Sequence, residues 1–165
     1  DTFEQRVQRP HEPGERDGFY SGKKKQHTLK SQVTVDEDTG EVVDVSQSVP
    51  GPTADLTLLK ESGLMSRLPP GVGALGDLAY VGIDDLDPDT QGATPRRKPR
   101  GKPRPERDWE FNRAFARRRV RVEHTLSRMR RFQALAQADR HHRWDHAMRV
   151  AAIAGLVNRQ IRALA

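Results

Sequence analysis

Glu123 sits in the stretch Asn112 to Phe132, NRAFARRRVRVEHTLSRMRRF, the most basic part of the sequence. An acid set among arginines, on the border between a buried face and solvent, could be a metal ligand facing a phosphate backbone. It could equally pair with Arg119 one helical turn earlier, a common surface arrangement. A second acid, Asp77, follows the short apolar run GVGALG. Open α/β sheets place functional groups at the ends of buried strands, although an aspartate there also serves as a plain turn or helix cap.

The elements that must hold these acids can be read from periodicity. At 100° per residue Phe111, Phe115, Val122, Leu126 and Met129 form one stripe, so the Glu123 segment is a helix with a core-facing side, and Asn112, Arg119, Glu123 and Arg130 lie along its edge. Thr28–Val35 and Glu41–Val49 are extended runs joined by Asp38-Thr39-Gly40, which predicts a β-hairpin. Residues 2–9 alternate weakly, with Phe3 and Val7 on one side of a strand, and Pro10 to Gly18 reads as a polar loop. After Pro50-Gly51-Pro52, Ala54 to Ser62 predicts a short helix with Leu56, Leu59 and Leu64 inward and Gly63 as its stop. The apolar run that starts at Gly71 and ends at Asp77 predicts a buried strand. Trp144 to Leu164 predicts a second long helix whose apolar residues, Trp144, Met148 and Leu156 among them, spread over more than one face, so that it should be largely packed.

The 165 residues suit one domain, and the net charge of +6 with a pI near 10.1 points to a polyanionic partner, most simply nucleic acid. The absence of cysteine excludes disulfides, zinc–thiolate sites and cysteine nucleophiles, so any metal must sit on oxygen or imidazole ligands. No apolar run approaches a membrane span and no signal peptide opens the sequence, which makes a cytoplasmic location the expectation. The first residue is Asp1, and TFEQRVQRP reads like the middle of a hairpin, so truncation at the N-terminus is expected. The acidic patch Asp84 to Asp89 lacks the glycine and closing glutamate of a calcium loop. A Pro-rich basic arm at about 94–107 is either a solvated linker or a phosphate-tracking arm. His124, His141, His142 and His146 have no convincing metal spacing and read as surface or phosphate-contacting residues.

Four segments in order, YSGKKKQHT from Tyr20, PGPTADLTLL from Pro50, GDLAYVG from Gly76 and the Glu123 stretch, resemble the DDE superfamily endonuclease domain of bacterial insertion-sequence transposases. The resemblance covers nearly the whole chain, and Arg119-Val120-Arg121-Val122-Glu123-His124 is its most specific part. It implies a ribonuclease H-like α/β fold, a mixed sheet flanked by helices, N-terminally truncated. It further implies that Asp1, Asp77 and Glu123 are the three metal-binding catalytic acids. Asp1-Thr2-Phe3-Glu4 departs from the family's D-G-T-E at its second and third residues, and Asp55 resembles a secondary acidic position. Such acids would hold two Mg²⁺ ions, with Mn²⁺ as a substitute, for hydrolytic nicking at transposon ends and strand transfer into target DNA. Lys23, Lys24, Lys25 and His27, with Arg117, Arg118, Arg119 and Arg121, would meet phosphates. For the lysines a solvated edge that discourages sheet-to-sheet pairing is the competing reading. The partners implied are double-stranded DNA and a second copy in a homodimer. A truncated copy would be inactive, and a non-catalytic basic DNA-binding module is the alternative. Shortage of aromatics argues against a reader of single-stranded RNA.

Overall fold

The computed structural model describes residues 1–164. Its contacts divide the chain into two units, Asp1–Ala54 with Arg121–Ala165, and Asp55–Val120.

In the first unit, β3 (Gln26–Val35) is the central strand of a five-stranded sheet. β1 (Thr2–Arg6) pairs with it from Thr2↔Gln32 to Arg6↔Thr28. Between them α1 (Pro13–Phe19) replaces the expected polar loop, because Pro13 at the start of a helix brings the right φ and needs no amide partner. β2 (Tyr20–Ser21), β4 (Val42–Val45) and β5 (Val49–Pro50) also pair with β3. Among the described residues every ladder of this sheet is antiparallel, and parallel pairing enters at a single bridge between Val7 and Asp139. The hairpin turn is where the sequence put it: Gly40 has φ +77°, and Asp36 accepts from the N–H and hydroxyl of Thr39.

Six consecutive residues of β3, Thr28 to Val33, are buried, so its polar side chains need partners inside. Thr28 donates to Glu4, Lys30 Nζ reaches the Thr53 carbonyl at 2.6 Å, and Ser31 Oγ lies 2.7 Å from Ser48 Oγ.

In the second unit, α2 (Asp55–Ser62) ends at Gly63, φ +63°. The strand expected from Gly71 to its end at Asp77 shrinks to β6 (Ala74–Leu75), paired in parallel with β7 (Gly92–Ala93). Glycines weaken the rest of that run as a strand, and Asp77 turns it into a 3₁₀ helix, Leu78–Tyr80. Leu59, Leu64, Met65, Tyr80 and Ile83 make this unit's core, with Leu56 packed against it. The long helix α3 (Glu106–Met129) then crosses the unit boundary between Val120 and Arg121.

Past the boundary, Leu126 and Met129 of α3 join Phe3, Val33 and Val42 in the first unit's core. α4 (Gln133–Ala136) is a single short turn. α5 (His146–Leu164) completes the core with Val150, Ile153, Val157 and Ile161. Its packing is one-sided, contrary to the expectation of a largely packed helix: Met148 is 64% and Leu156 47% exposed. Trp144 precedes the helix and is 76% exposed. The spacing 146, 150, 153, 157, 161 is the buried stripe, and those three apolar residues fall outside its arc.

Candidate active site

Of the three acids, Asp1 and Glu123 belong to the first unit and Asp77 to the second. Asp1 is half-buried at the start of β1. Its backbone amine donates to the Val33 carbonyl at 3.1 Å, its carbonyl accepts from Val33 N–H at 2.8 Å, and Oδ1 accepts from Thr2 N–H. Ladder bonds therefore extend to the acid itself, and they tie it to the buried middle of β3.

Glu123 is exposed on α3, beside the partly buried Val122 that packs on the core. The turn carrying it is anchored on either side. Thr125, 1% exposed, donates its hydroxyl to the Gly40 carbonyl at 2.7 Å, and the Arg121 side chain lies over Gly40. Asp36 in the same hairpin is held below the ordinary carboxylate range, mainly by its bonds from Thr39 and with help from Arg121. Asp1 and Glu123 thus issue from elements that share one apolar core, through Phe3 on β1 and Leu126 on α3.

Asp77 is an N-cap: Oδ1 accepts from Ala79 N–H at 2.8 Å, and the Asp77 carbonyl accepts from Tyr80 N–H. Asp77 thus lies just past the end of β6, where the sequence placed it, and it also takes the capping role weighed beside that placement. Gly76 is required just before it, since a Cβ there would stand 2.5 Å from the Cβ of Tyr80. Tyr80, 3% exposed, has its phenol pushed well up by burial and by the nearby charges of Asp55 and Asp77, against which Arg119 acts. Asp55 opens α2, in the first turn where a carboxylate favours the helix dipole.

The basic residues are mostly on the surface. Lys23, Lys24 and Lys25 are exposed in the turn between β2 and β3, where Lys25 takes φ +55°, and His27 packs edge-on to Tyr20. Arg117, Arg118 and Arg121 are exposed on α3 and Arg119 is half-buried.

Carboxylates without thiols suit a hard divalent cation. Within either unit, no three His, Asp or Glu side chains among the described residues lie together as a preformed cage. Such a cation is ordinarily held by one or two carboxylates plus substrate phosphates, so it needs no preformed cage.

His146 corrects the reading of the histidines as surface or phosphate-contacting: it is wholly buried. Nε2 lies 3.0 Å from Gln5 Oε1 and Nδ1 lies 2.7 Å from Ser48 Oγ. Gln5 Nε2 donates to the carbonyls of Ala134 and Gln137, which leaves Oε1 as the acceptor and makes His146 Nε2 the donor. Burial lowers the pKa to about 4. The signal was present: Gln5 lies in phase with Phe3 and Val7, and Ser31 in phase with Leu29 and Val33, so polar residues stand at core positions of both strands.

The sequence profile of the DDE superfamily endonucleases matches residues 1–158. The chain belongs to the DDE superfamily endonucleases. It is also 30% identical over 162 residues to a protein of Microchaete diplosiphon described as a probable transposase for insertion sequence element IS702, a match over 98% of this chain and 56% of the relative. The chain therefore spans just over half the length of that relative. No solved structure is significantly similar. No described helix is long and apolar enough to cross a membrane.

Proposed function

We propose that the chain is the catalytic part of a DNA transposase, cutting and joining DNA strands with Asp1, Asp77 and Glu123 as its metal-binding acids. Both units belong to one ribonuclease H-like domain in this reading, which works on double-stranded DNA in the cytoplasm, as a homodimer. Family membership over residues 1–158 supports it. The observation that carries it is that β1, starting beside Asp1, and the Glu123 turn of α3 are built on one core.

The three carboxylates would hold two Mg²⁺ ions, or Mn²⁺ in their place. Bound there, the ions supply activation of the attacking water or 3′-OH and stabilisation of the leaving 3′ oxygen. Lys23, Lys24, Lys25 and His27 meet the DNA backbone from the β2–β3 turn. Arg117, Arg118, Arg119 and Arg121 neutralise phosphates along the helix that carries Glu123. These contacts read no sequence and weaken with salt.

The test is Mg²⁺-dependent nicking of supercoiled plasmid by the chain and its Asp77→Asn and Glu123→Gln variants, with Mn²⁺ affinity measured in parallel. Weaker Mn²⁺ binding in both variants is expected, together with loss of whatever nicking the parent chain retains. Equal Mn²⁺ affinity in all three proteins would leave only a basic DNA-binding scaffold.

A further inference from the structure

Residues 90–105 contain six cations and no acid: Arg96, Arg97, Lys98, Arg100, Lys102 and Arg104. Such a segment, with four prolines, would ordinarily be an unstructured linker. In the second unit it is instead a loop tied down on both limbs.

The outgoing limb is gripped at Arg96. The side-chain amide of Asn112 accepts from Arg96 N–H at 2.8 Å and donates to the Arg96 carbonyl at 3.0 Å, as a neighbouring strand would. The Arg96 guanidinium pairs with the buried Asp108 at 2.9 Å and lies 4.5 Å from the centre of the Phe111 ring. Arg97 donates to the Leu78 carbonyl. On the returning limb, Arg104 lies over the Trp109 ring at 5.2 Å. Asp108, Trp109, Phe111 and Asn112 all come from the first two turns of α3, so one helix end holds both limbs.

Between the anchors the chain reverses at Pro99–Lys102, with Lys102 N–H facing the Pro99 carbonyl and Gly101 at φ +72°, a conformation that favours glycine. Lys98, Arg100 and Lys102 are all exposed around this turn. The cations thus divide: Arg96, Arg97 and Arg104 are spent on the protein, and the other three form an outward tip.

We infer that this tip is a preordered contact for the phosphate backbone of duplex DNA, with Asn112 as the residue that positions it. The inference rests on the reading that the chain acts on DNA, and it is independent of the acids. Duplex DNA fits best because the tip, Lys98 to Lys102, has the small ring of Pro99 as its one apolar side chain, too little to enter a bilayer, and no aromatic ring to stack on unpaired bases. Anchoring both limbs also lowers the ordering cost of binding that a free basic linker would meet.

The experiment is fluorescence anisotropy of a random-sequence duplex with the whole chain, titrated at several salt concentrations. Each lost phosphate contact reduces the slope of log affinity against log salt by about 1. Lys98→Ala/Arg100→Ala/Lys102→Ala should flatten that slope by about 2 to 3 and weaken binding at low salt about tenfold or more, with unchanged circular dichroism. Asn112→Ala keeps every charge, so it should weaken binding several-fold with the slope preserved. If the triple variant keeps both the parent's slope and its affinity, the tip is not a DNA contact, although the chain still binds DNA. If the parent shows no salt-dependent duplex binding, this inference and the transposase reading fall together. Loss of binding to anionic vesicles with DNA binding intact would also overturn it.

Discussion

Asn158 of α5 holds Val42 of β4 by both backbone groups: its Oδ1 accepts from Val42 N–H at 2.7 Å and its Nδ2 donates to the Val42 carbonyl at 2.8 Å. A side-chain amide here takes the place of a further strand, as Asn112 does at Arg96. The device satisfies a strand's backbone groups where no other strand is available, and it blunts that position as a site for pairing with another chain.

Asn158→Ala removes both bonds and leaves the groups of a buried residue to find other partners. A loss of about 2 kcal/mol is expected, read as a lower urea midpoint. Asn158→Asp should be worse than Asn158→Ala, because its carboxylate would face the Val42 carbonyl.

His146 makes stability depend on pH. Its pKa of about 4 in the fold stands below the ordinary 6.5, because burial disfavours the charged ring and Arg149 opposes it while Asp139 favours it. Between those values the unfolded chain binds more protons, so the contribution is complete above 6.5 and is lost as pH falls toward 4. From pH 7.5 to 5 the cost from this residue is about 2 kcal/mol. His146→Gln should abolish that part of the pH dependence, as measured by urea unfolding at the two pH values.

Asp139 is the buried half of an ion pair with Arg149, its side chain 2% exposed, and it also accepts from the backbone and ring of His141. Burial alone would raise its pKa, and the bonds from His141 and Arg149 outweigh that and lower it. Its contribution is therefore present above the unfolded carboxylate range and lost as pH falls through the depressed value. Asp139→Asn leaves Arg149 without its counter-charge, and a loss of about 3 kcal/mol is expected in chemical denaturation.

At Asp77 structure and chemistry can be separated. Asparagine caps a helix about as well as aspartate, so Asp77→Asn should leave thermal stability nearly unchanged while abolishing Mg²⁺-dependent nicking. Asp77→Ala should lose the nicking and, in addition, about 1 kcal/mol of stability. A variant series in which nicking follows stability, not charge, would reduce Asp77 to a cap.

Sequence by itself determined the local elements whose signals are local. The hairpin about Asp38-Thr39-Gly40, the helix stopped by Gly63 and the core stripe Phe115, Leu126, Met129 are written in turn chemistry and periodicity, which act over a few residues. It also carried the four ordered segments by which the family can be recognised. Tertiary structure alone decided what polar residues at core positions are for. Gln5 and Ser31 look like defects in their strands until His146, 141 residues from Gln5, arrives beside Gln5 and beside Ser48, the serine that bonds Ser31. It likewise decided that the chain would turn right after Leu75, since Tyr80 buries itself against Gly76. Partners so far apart in the chain are chosen by packing and by the cost of an unpaired buried polar group, and neither acts until the fold has closed.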